Sequence, residues 1–429
     1  MQYRINLFKY FVPWKPIISS FIIFKGVFEL YSHLRQFRLI SKKQDVSKFG
    51  FDQSKIEQGK VYSIDKLKSS ALGIAYETII RLITINFNIY SKIWTFAGSF
   101  LSQMVPTTTS LYLSQTVLFM TISSFLLLIF VKLPINYVDN FFIEKKFGFF
   151  KATVVKWIGF ELFMAIIQLI IDVSAIIVLL KAYQFFNYKI EVFKLSVILF
   201  LLVCFIIFIY PTLSSLFSNQ KELPENELRN SIEEFTIKQN FKLKNIYIET
   251  SSTSSHLNAS VEGNPFKGSI YIGDTLINSF SQQETLAVIA HELGHVKFYH
   301  KIKGTGLFLI EWVVLLSLGK LLYEKDSIYT NFGFKNKPIF IGFLIVSQIL
   351  IPFDLVFKIL KNKIAQNFEY QADIFAVDCC YDESLKKALI RLTDQNLSTT
   401  SNDWLYSYLY LTHPSKIDRL INIDKNGIK

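Results

Sequence analysis

Long apolar runs, each bounded by charged or turn residues, recur along most of this chain. An α-helix needs about 20 mostly apolar residues to cross the hydrocarbon core of a membrane, and seven runs approach that length. The predicted spans are Pro16–Leu34, Ala75–Leu101, Thr116–Leu133, Val155–Leu180, Phe193–Pro211, Gly304–Tyr323 and Pro338–Leu360. The pattern therefore predicts an integral membrane protein with seven transmembrane helices.

Charged side chains lie in or near several of these runs. Such residues are costly in contact with lipid, so they usually face the interior of a helix bundle or a water-filled cavity. The alternative is that those near span edges extend to the membrane interface. The charged residues are Lys25, Glu29, Glu77, Arg81, Glu161, Asp172, Glu311 and Asp354. We expect at least some of them to line an aqueous cavity.

The distribution of lysine and arginine predicts the orientation. Nine of these residues lie between the first two predicted spans, whereas the next connection, Ser102–Gln115, contains none. Cytosolic loops are enriched in these cations, so the first loop is assigned to the cytosol and the N-terminus to the lumenal side. Counting spans onward places the long insert Thr212–Lys303 and the C-terminal tail in the cytosol as well.

Composition agrees with membrane embedding. Of 429 residues, 51% are hydrophobic and only 19% are charged, and the formal net charge is +12. The positive charge fits cytosolic loops and anionic membrane lipid. No basic cluster is interleaved with stacking aromatic residues, so no nucleic-acid partner is predicted. Three cysteines, Cys204, Cys379 and Cys380, exclude a disulfide framework.

The most informative polar segment is Ser281–His300, with the sequence SQQETLAVIAHELGHVKFYH. Ser281 and Glu284 form the spacing of a capping box, which starts a helix, and apolar residues then recur at helical intervals. If that helix continues, His300 lies about 180° around it from His291. We therefore interpret His300 as a surface or structural residue.

His291 and His295 are four residues apart, so both imidazoles project from one face of the predicted helix. Two nitrogens placed in this way can bind one zinc ion. Glu292 lies beside them, where it can take a proton from water and deliver it to a leaving amine. This is the HExxH pattern of a metalloprotease. The alternative is a solvated helix face that contains His and Glu by chance.

A catalytic zinc site takes three protein ligands, and no third ligand follows at metzincin spacing. Glu369 is the best candidate, because it begins a helical segment just after the last predicted span. Asp373 lies one turn further along and would accept the N–H of a ligand histidine, which fixes the tautomer. Alone this spacing is weak, but it becomes strong in combination with HExxH.

Distinctive sequence blocks follow one another along nearly the whole chain. They are FELYSHLRQ (Phe28–Gln36), LPINYVDNFFIEKKFGFFKAT (Leu133–Thr153), IYPTLSSLF (Ile209–Phe217), LPENELRNSIEEF (Leu223–Phe235), SSHLNA (Ser254–Ala259), GDTLI (Gly273–Ile277), HELGH, FEYQADIFA (Phe368–Ala376) and THPSKIDRL (Thr412–Leu420). By these blocks the chain resembles the type I CAAX prenyl proteases, which are integral-membrane zinc endoproteases. Bacterial heat-shock relatives share the zinc motif but have fewer membrane helices.

The resemblance implies the zinc ligands and the general base named above. It also implies that Asn258 hydrogen-bonds the substrate backbone, and that His413 and Arg419 stand across the cleft near the scissile carbonyl. His413 would then stabilise the developing oxyanion. Ser269–Thr275 alternates enough to form a strand, and a peptide could add to its edge as an extra strand. The alternative is that Asn258 and His413 are turn residues.

The implied architecture is an all-α integral membrane protein whose seven helices enclose a large hydrated chamber. A cytosolic HExxH zinc-metalloprotease domain of the gluzincin type, with a small β element, caps that chamber. The predicted divisions are 1–211 with five spans, 212–303 with HExxH, 304–360 with two spans and 361–429 with the third ligand.

The implied activity is removal of the C-terminal aaX tripeptide from prenylated CAAX proteins, with one zinc ion per chain. The resemblance and the orientation imply a multi-pass monomer in the endoplasmic reticulum membrane, or in the inner nuclear membrane. Alternatives are a quality-control protease indifferent to prenylation, a catalytically silent scaffold and a transporter. The sequons at Asn258 and Asn396 are predicted to stay unglycosylated, because both are assigned to the cytosol.

Overall fold

The protein is described here from a computed structural model. The described residues are 12–42, 46–104, 111–185, 194, 197–198, 201, 219–250 and 259–427. The predicted span Phe193–Pro211 lies almost wholly outside these residues, and so does the candidate substrate-binding residue Asn258.

Helices dominate the described chain. They are α1 Trp14–Ser41, α2 Gln53–Asn86, α3 Ile89–Met104, α4 Leu111–Leu127, α5 Leu133–Tyr137, α6 Val154–Phe185, α7 Glu227–Lys238, α8 Asp274–Ser279, α9 Gln282–Lys297, α10 His300–Tyr323, α11 Asp326–Thr330, α12 Ile339–Ile349, α13 Ile351–Asp378, α14 Asp382–Gln395, α15 Trp404–Tyr410 and α16 Lys416–Gly427. Two π-helical segments, Leu128–Lys132 and Val138–Glu144, flank α5 and extend α4 into one long rod.

Four helical segments of the described chain are long and apolar enough to cross a membrane. They are Trp14–Ser41, Tyr112–Glu144, Val154–Ala182 and His300–Tyr323. A fifth candidate is the pair α12 and α13, which bends by 65° at Leu350. Pro352 at the start of α13 lacks a backbone donor and is tolerated only in a first helical turn, which explains a restart at this point. The described chain is thus a mostly helical membrane protein with four or five candidate spans.

The prediction of one continuous span over Ala75–Leu101 was wrong. Helix α2 ends at Asn86, and α3 begins at Ile89. Asn88 between them has a φ of 56°, in the left-handed region that asparagine tolerates better than most residues. Asn86 and Asn88 favour a break between the two helices, and the apolar composition of this stretch does not reveal it.

Charged residues within the spans have partners inside the protein. Glu29 is buried, and its carboxylate lies 4.0 Å from Lys25 Nζ and 3.8 Å from Lys358 Nζ. Arg81 donates to Glu77 at 2.6 Å. Pairing of this kind compensates for the hydration that a charge loses in a membrane. These charges are paired with other side chains, and the expectation that some of them line an aqueous cavity stays a prediction.

A four-stranded sheet supplies the small β element. Its strands are β1 Asn219–Glu222, β2 Lys242–Thr250, β3 Ala259–Asn264 and β4 Lys267–Gly273, in the order β1-β2-β4-β3. Strand β4 runs parallel to β2 and antiparallel to β3. Strand β4 overlaps the predicted strand Ser269–Thr275. Because it pairs with a neighbour on each side, it is an interior strand of the sheet. The predicted peptide-binding edge was wrong for β4, because β3 covers that side of it.

The sheet and the HExxH helix α9 share one apolar core. Ile246 and Ile270 from the sheet are buried with Ile289 and Leu293 from α9, each at most 1% exposed. Burial of such side chains helps to fix the rotation of α9 about its axis. His291 and His295, on another side of the same helix, lie next to Glu369 of α13.

Candidate active site

Helix α9 begins as the sequence predicts. Ser281 Oγ accepts a hydrogen bond from the Glu284 backbone N–H at 3.3 Å, and the Glu284 carboxylate accepts one from the Ser281 N–H at 2.8 Å. This reciprocal capping box satisfies two of the free donors at a helix start. It fixes where the helix begins, and hence where His291 and His295 lie on it.

A close helix contact brings the third candidate ligand to the histidines. A Cβ atom at Gly294 would lie only 3.1 Å from Ala372 Cα and 3.1 Å from Phe375 Cβ on α13. Only glycine allows the two backbones to approach this closely without a shift. The contact sets Glu369, one turn before Ala372, opposite the HExxH face.

Three candidate ligands converge on one point. The Nε2 atoms of His291 and His295 are 3.2 Å apart. Glu369 Oε2 lies 3.5 Å from the first nitrogen, and Glu369 Oε1 lies 3.3 Å from the second. Ligands at 2.0–2.1 Å from a tetrahedral zinc ion are about 3.3 Å from one another. The spacing of the three side chains therefore matches the edges of a tetrahedral site.

The donor set fits a divalent cation in a second respect. Glu369 Oε2 is buried and accepts no hydrogen bond. Its near neighbours are His291 and an Arg419 Nη1 atom at 3.3 Å. An acceptor of this kind, facing two histidine nitrogens, is suited to a metal ion.

A buried carboxylate orients the first histidine. Asp373 is fully buried, and its Oδ1 atom lies 2.9 Å from His291 Nδ1. Arg419 donates to the same carboxylate from Nε at 2.9 Å and from Nη2 at 2.6 Å. The His291 Nδ1–H donates to Asp373, which leaves Nε2 free to bind a metal. Arg419, predicted near the substrate, thus makes its shortest contacts with Asp373.

The second histidine has a partner that the sequence did not indicate. Helix α9 ends at Lys297, and Tyr299 has a φ of 58°. His300 therefore turns back and places its Nδ1 atom 3.0 Å from His295 Nδ1. Its Nε2 atom lies 3.1 Å from Gln371 Oε1. The expected 180° separation was wrong, since it assumed a helix that continues to His300.

Stacking holds His300 in place. Its ring lies parallel to that of Phe368, at a centroid distance of 4.2 Å and an interplanar angle of 8°. With Gln371 Oε1 accepting from Nε2–H, the free Nδ1 atom of His300 is an acceptor for the Nδ1–H of His295. His295 then presents Nε2 to the metal site. His300 is a buried structural residue, one of the two roles expected for it.

The electrostatics of the site favour positive charge between the ligands. Burial and the nearby Arg419 lower the pKa of His291, but the hydrogen bond to Asp373 and the nearby Glu369 carboxylate outweigh them and raise this pKa to about 9. A second proton or a metal ion is therefore stabilised at Nε2. Burial raises the pKa of Glu292 above its usual range, although the neighbouring histidines oppose it.

Glu292 faces a cavity of about 740 Å³. The metal-site residues His291 and Glu369 line it together with Gln36 of α1 and Lys66 of α2. The space thus extends from the candidate metal site to side chains of the membrane helices. It is large enough for a peptide segment, and the ligand cluster opens directly into it.

His413 lies at the rim of this cavity. Its Nε2 atom is 3.4 Å from Glu369 Oε1, and its side chain is 58% exposed. A donor in this position can contact a bound peptide. The structure thus brings together the predicted residues of the site that it describes, and Asn258 immediately precedes the described strand β3.

Comparisons with known proteins cover nearly the whole chain. Residues 222–426 match Peptidase family M48, and residues 36–218 match the CAAX prenyl protease N-terminal family with five membrane helices. CAAX prenyl protease 1 from Saccharomyces cerevisiae is 32% identical over 96% of each chain. The Arabidopsis thaliana CAAX prenyl protease 1 homolog is 30% identical over 96% of this chain and 98% of its own.

A solved structure agrees with these relatives. The crystal structure of S. mikatae Ste24p superposes with a TM-score of 0.90 at 30% identity, covering 96% of this chain and 99% of that chain. Identity above 30% over almost the full length of the yeast protein establishes the family. The chain belongs to the type I CAAX prenyl protease family, within peptidase family M48, and is a multi-pass membrane metallopeptidase.

Proposed function

We propose that this protein is a zinc-dependent endopeptidase that removes the aaX tripeptide from prenylated CAAX proteins. The observation that carries the proposal is the ligand cluster His291, His295 and Glu369, which opens beside Glu292 into a cavity shared with the membrane helices. The full-length similarity to CAAX prenyl protease 1 supports the substrate class. A membrane location suits a substrate that carries a lipid.

Each residue of the candidate active site has its own chemical role. A zinc ion held by the three ligands would polarise the scissile carbonyl and lower the pKa of a water molecule towards ~7. Glu292 accepts the proton of the attacking water and then delivers it to the departing amine. His413 donates a hydrogen bond to the oxyanion that develops on the carbonyl oxygen. Asp373 and Arg419 hold His291 in its metal-binding tautomer.

We assign the positioning of the substrate peptide to the edge of the sheet. Strand β3 is an edge strand that packs beside α9, so its outer backbone groups are available to an extended peptide. Asn258 precedes this strand directly and would hydrogen-bond the peptide backbone. An extended peptide on β3 would pass the HExxH face of α9.

We also propose seven membrane spans around a hydrated chamber. The five membrane helices of the matched N-terminal family support this number. The divisions 1–211, 212–303, 304–360 and 361–429 follow from it. The endoplasmic reticulum membrane is the proposed location, with the metal site and C-terminus in the cytosol, the N-terminus in the lumen and the chain as a monomer.

The decisive experiment is to replace Glu292 with glutamine. Glu292→Gln keeps the three metal ligands but cannot accept a proton, so we expect one zinc ion per chain and a loss of kcat of about 10²- to 10⁴-fold. Elemental analysis and mass-spectrometric mapping of the cut in a farnesylated CAAX peptide give the two readouts. Retained peptidase activity in the purified variant would contradict the assignment.

The same assay separates the proposal from a quality-control protease. Cleavage of one peptide is compared with and without its farnesyl group. Selective cleavage of the farnesylated form, three residues from the end, supports CAAX processing. Equal cleavage of both forms would favour the protease that is indifferent to prenylation.

A further inference from the structure

Lys416 is an unpaired cation beside the candidate metal site. It begins α16, three residues after His413 and one turn before Arg419, and it lines the same cavity as Glu292. The side chain is partly buried. Within the described part of the chain, its ammonium group has no ion pair.

The other non-histidine cations that line this cavity are already neutralised. Lys66 Nζ lies 3.2 Å from Asp139 and 3.0 Å from Glu144. Arg419 is paired with Asp373. Lys416 thus differs from the other described cations of the cavity wall, because its positive charge has no counter-ion among the residues that the structure describes.

The acids close to Lys416 are engaged elsewhere. Glu369 faces His291 and His295, and Asp373 faces Arg419. Asp418, two residues further along α16, accepts a hydrogen bond from Ser415 Oγ at 2.6 Å.

Charge balance makes the surplus explicit. A divalent metal ion together with Arg419 would offset the carboxylates of Glu292, Glu369 and Asp373, so that none of these three acids has a surplus negative charge for Lys416. Burial, followed by the nearby Arg419, lowers the pKa of Lys416 to about 8. The amine is therefore still mostly protonated at neutral pH, and an anion in the cavity would stabilise it.

The substrate class supplies one anion at a fixed place. A CAAX peptide ends in an α-carboxylate that lies three residues beyond the scissile bond. Three extended residues span about 10 Å. Lys416 is three residues along the chain from His413, which itself contacts Glu369, so its Cα lies within about 11 Å of the His413 Cα. The Lys416 side chain is therefore attached near enough to the scissile position to reach a carboxylate that lies about 10 Å from it.

We propose that the Lys416 ammonium group binds the C-terminal carboxylate of the substrate and thereby selects a cut three residues from the chain end. This inference rests on the proposed function and adds a residue that determines specificity. The bond is a charge-assisted hydrogen bond in a partly buried site, which is the stronger kind. An uncharged peptide end would lose it.

The test uses the full-length zinc enzyme and two farnesylated peptides that differ only in a C-terminal carboxylate or carboxamide. We expect the wild-type protein to prefer the carboxylate by about 10- to 100-fold in kcat/KM. In Lys416→Met that ratio falls to about one, whereas Lys416→Arg keeps most of it. Lys425→Met, an exposed lysine of the same helix, is the matched control and keeps the full ratio.

Two results would overturn the inference. One is a wild-type enzyme that cuts both peptides equally well, and the other is an unchanged ratio in Lys416→Met. If wild-type protein cuts neither farnesylated peptide, the proposed function itself is wrong, which is a distinguishable outcome. Product inhibition of the wild type provides a test that needs no variant, because the free tripeptide should inhibit and its amide should not.

Discussion

Each candidate metal-binding histidine has a hydrogen-bonding partner on its far nitrogen. For His291 the partner is the Asp373 carboxylate, and for His295 it is the His300 ring. Both partners fix a proton on Nδ1 and direct Nε2 to the metal. The Asp373 contact was expected from its spacing after Glu369, whereas the His300 contact depends on a left-handed residue between two helices.

His300 is expected to tune metal affinity through His295. His300→Phe keeps the aromatic stack on Phe368 but removes the acceptor for the His295 Nδ1–H. We expect zinc affinity to fall about 10- to 100-fold, as for other partners of metal ligands. Competition with a chromophoric chelator measures this, with Glu292→Gln as the control of unchanged affinity. Equal affinity in His300→Phe would show that the contact is only structural.

Elements far apart in sequence are joined by polar contacts at their ends. Helices α1 and α15 meet where Arg35 donates two hydrogen bonds to Asp403, from Nε at 3.0 Å and Nη2 at 2.8 Å. Asp403 also caps α15 by accepting from the N–H groups of Leu405 and Tyr406. One side chain therefore starts a helix of the metal domain and ties it to the first membrane span.

Burial alone would raise the pKa of Asp403, but hydrogen bonds from Arg35 and from the helix start outweigh it and hold this pKa below its usual range. Asparagine can cap a helix but cannot form the ion pair. We expect Asp403→Asn to lower the free energy of unfolding by about 1–2 kcal/mol at pH 7.

The lowered pKa of Asp403 predicts how the difference in unfolding free energy between wild type and Asp403→Asn depends on pH. A depressed carboxyl pKa stabilises the folded state fully above its unfolded value of about 3.9, and this contribution is lost as the pH falls through the folded pKa. Unfolding of wild type and Asp403→Asn in detergent should therefore converge below about pH 4. A difference that persists unchanged in acid would contradict an ionic origin.

The whole molecule joins a metalloprotease domain to a membrane helix bundle across one cavity. Residues from α1 and α2 line that cavity together with the HExxH face of α9. Neither the metalloprotease domain nor the helix bundle encloses the candidate metal site alone. The lipid-bearing peptide proposed as substrate would reach the candidate metal site through this shared cavity.

The orientation predicts where sugars cannot be attached. Asn258 and Asn396 should both remain unglycosylated in a eukaryotic host, because the proposed orientation places the metal domain in the cytosol. A sequon engineered into the Ser102–Gln115 connection, which is assigned to the lumen, should be modified. Endoglycosidase treatment followed by gel electrophoresis reports both. A glycosidase-sensitive shift from either native sequon would reverse the topology.

Features that depend on residues a few positions apart could be predicted from the amino-acid sequence. Five of the predicted spans coincide with candidate spans, the capping box forms, and the HExxH histidines share a helix face. Such features follow from local periodicity and hydrogen bonding, which each segment carries within itself. Full-length similarity extends this local information to the family.

Features that depend on distant partners became visible in the folded chain. The break at Asn88, the interior place of β4 and the return of His300 to His295 each depend on neighbours that no short window contains. The unpaired state of Lys416 is of the same kind, since it follows from which acids other cations already occupy. Pairing and burial are properties of the packed chain, whereas spacing is a property of the sequence.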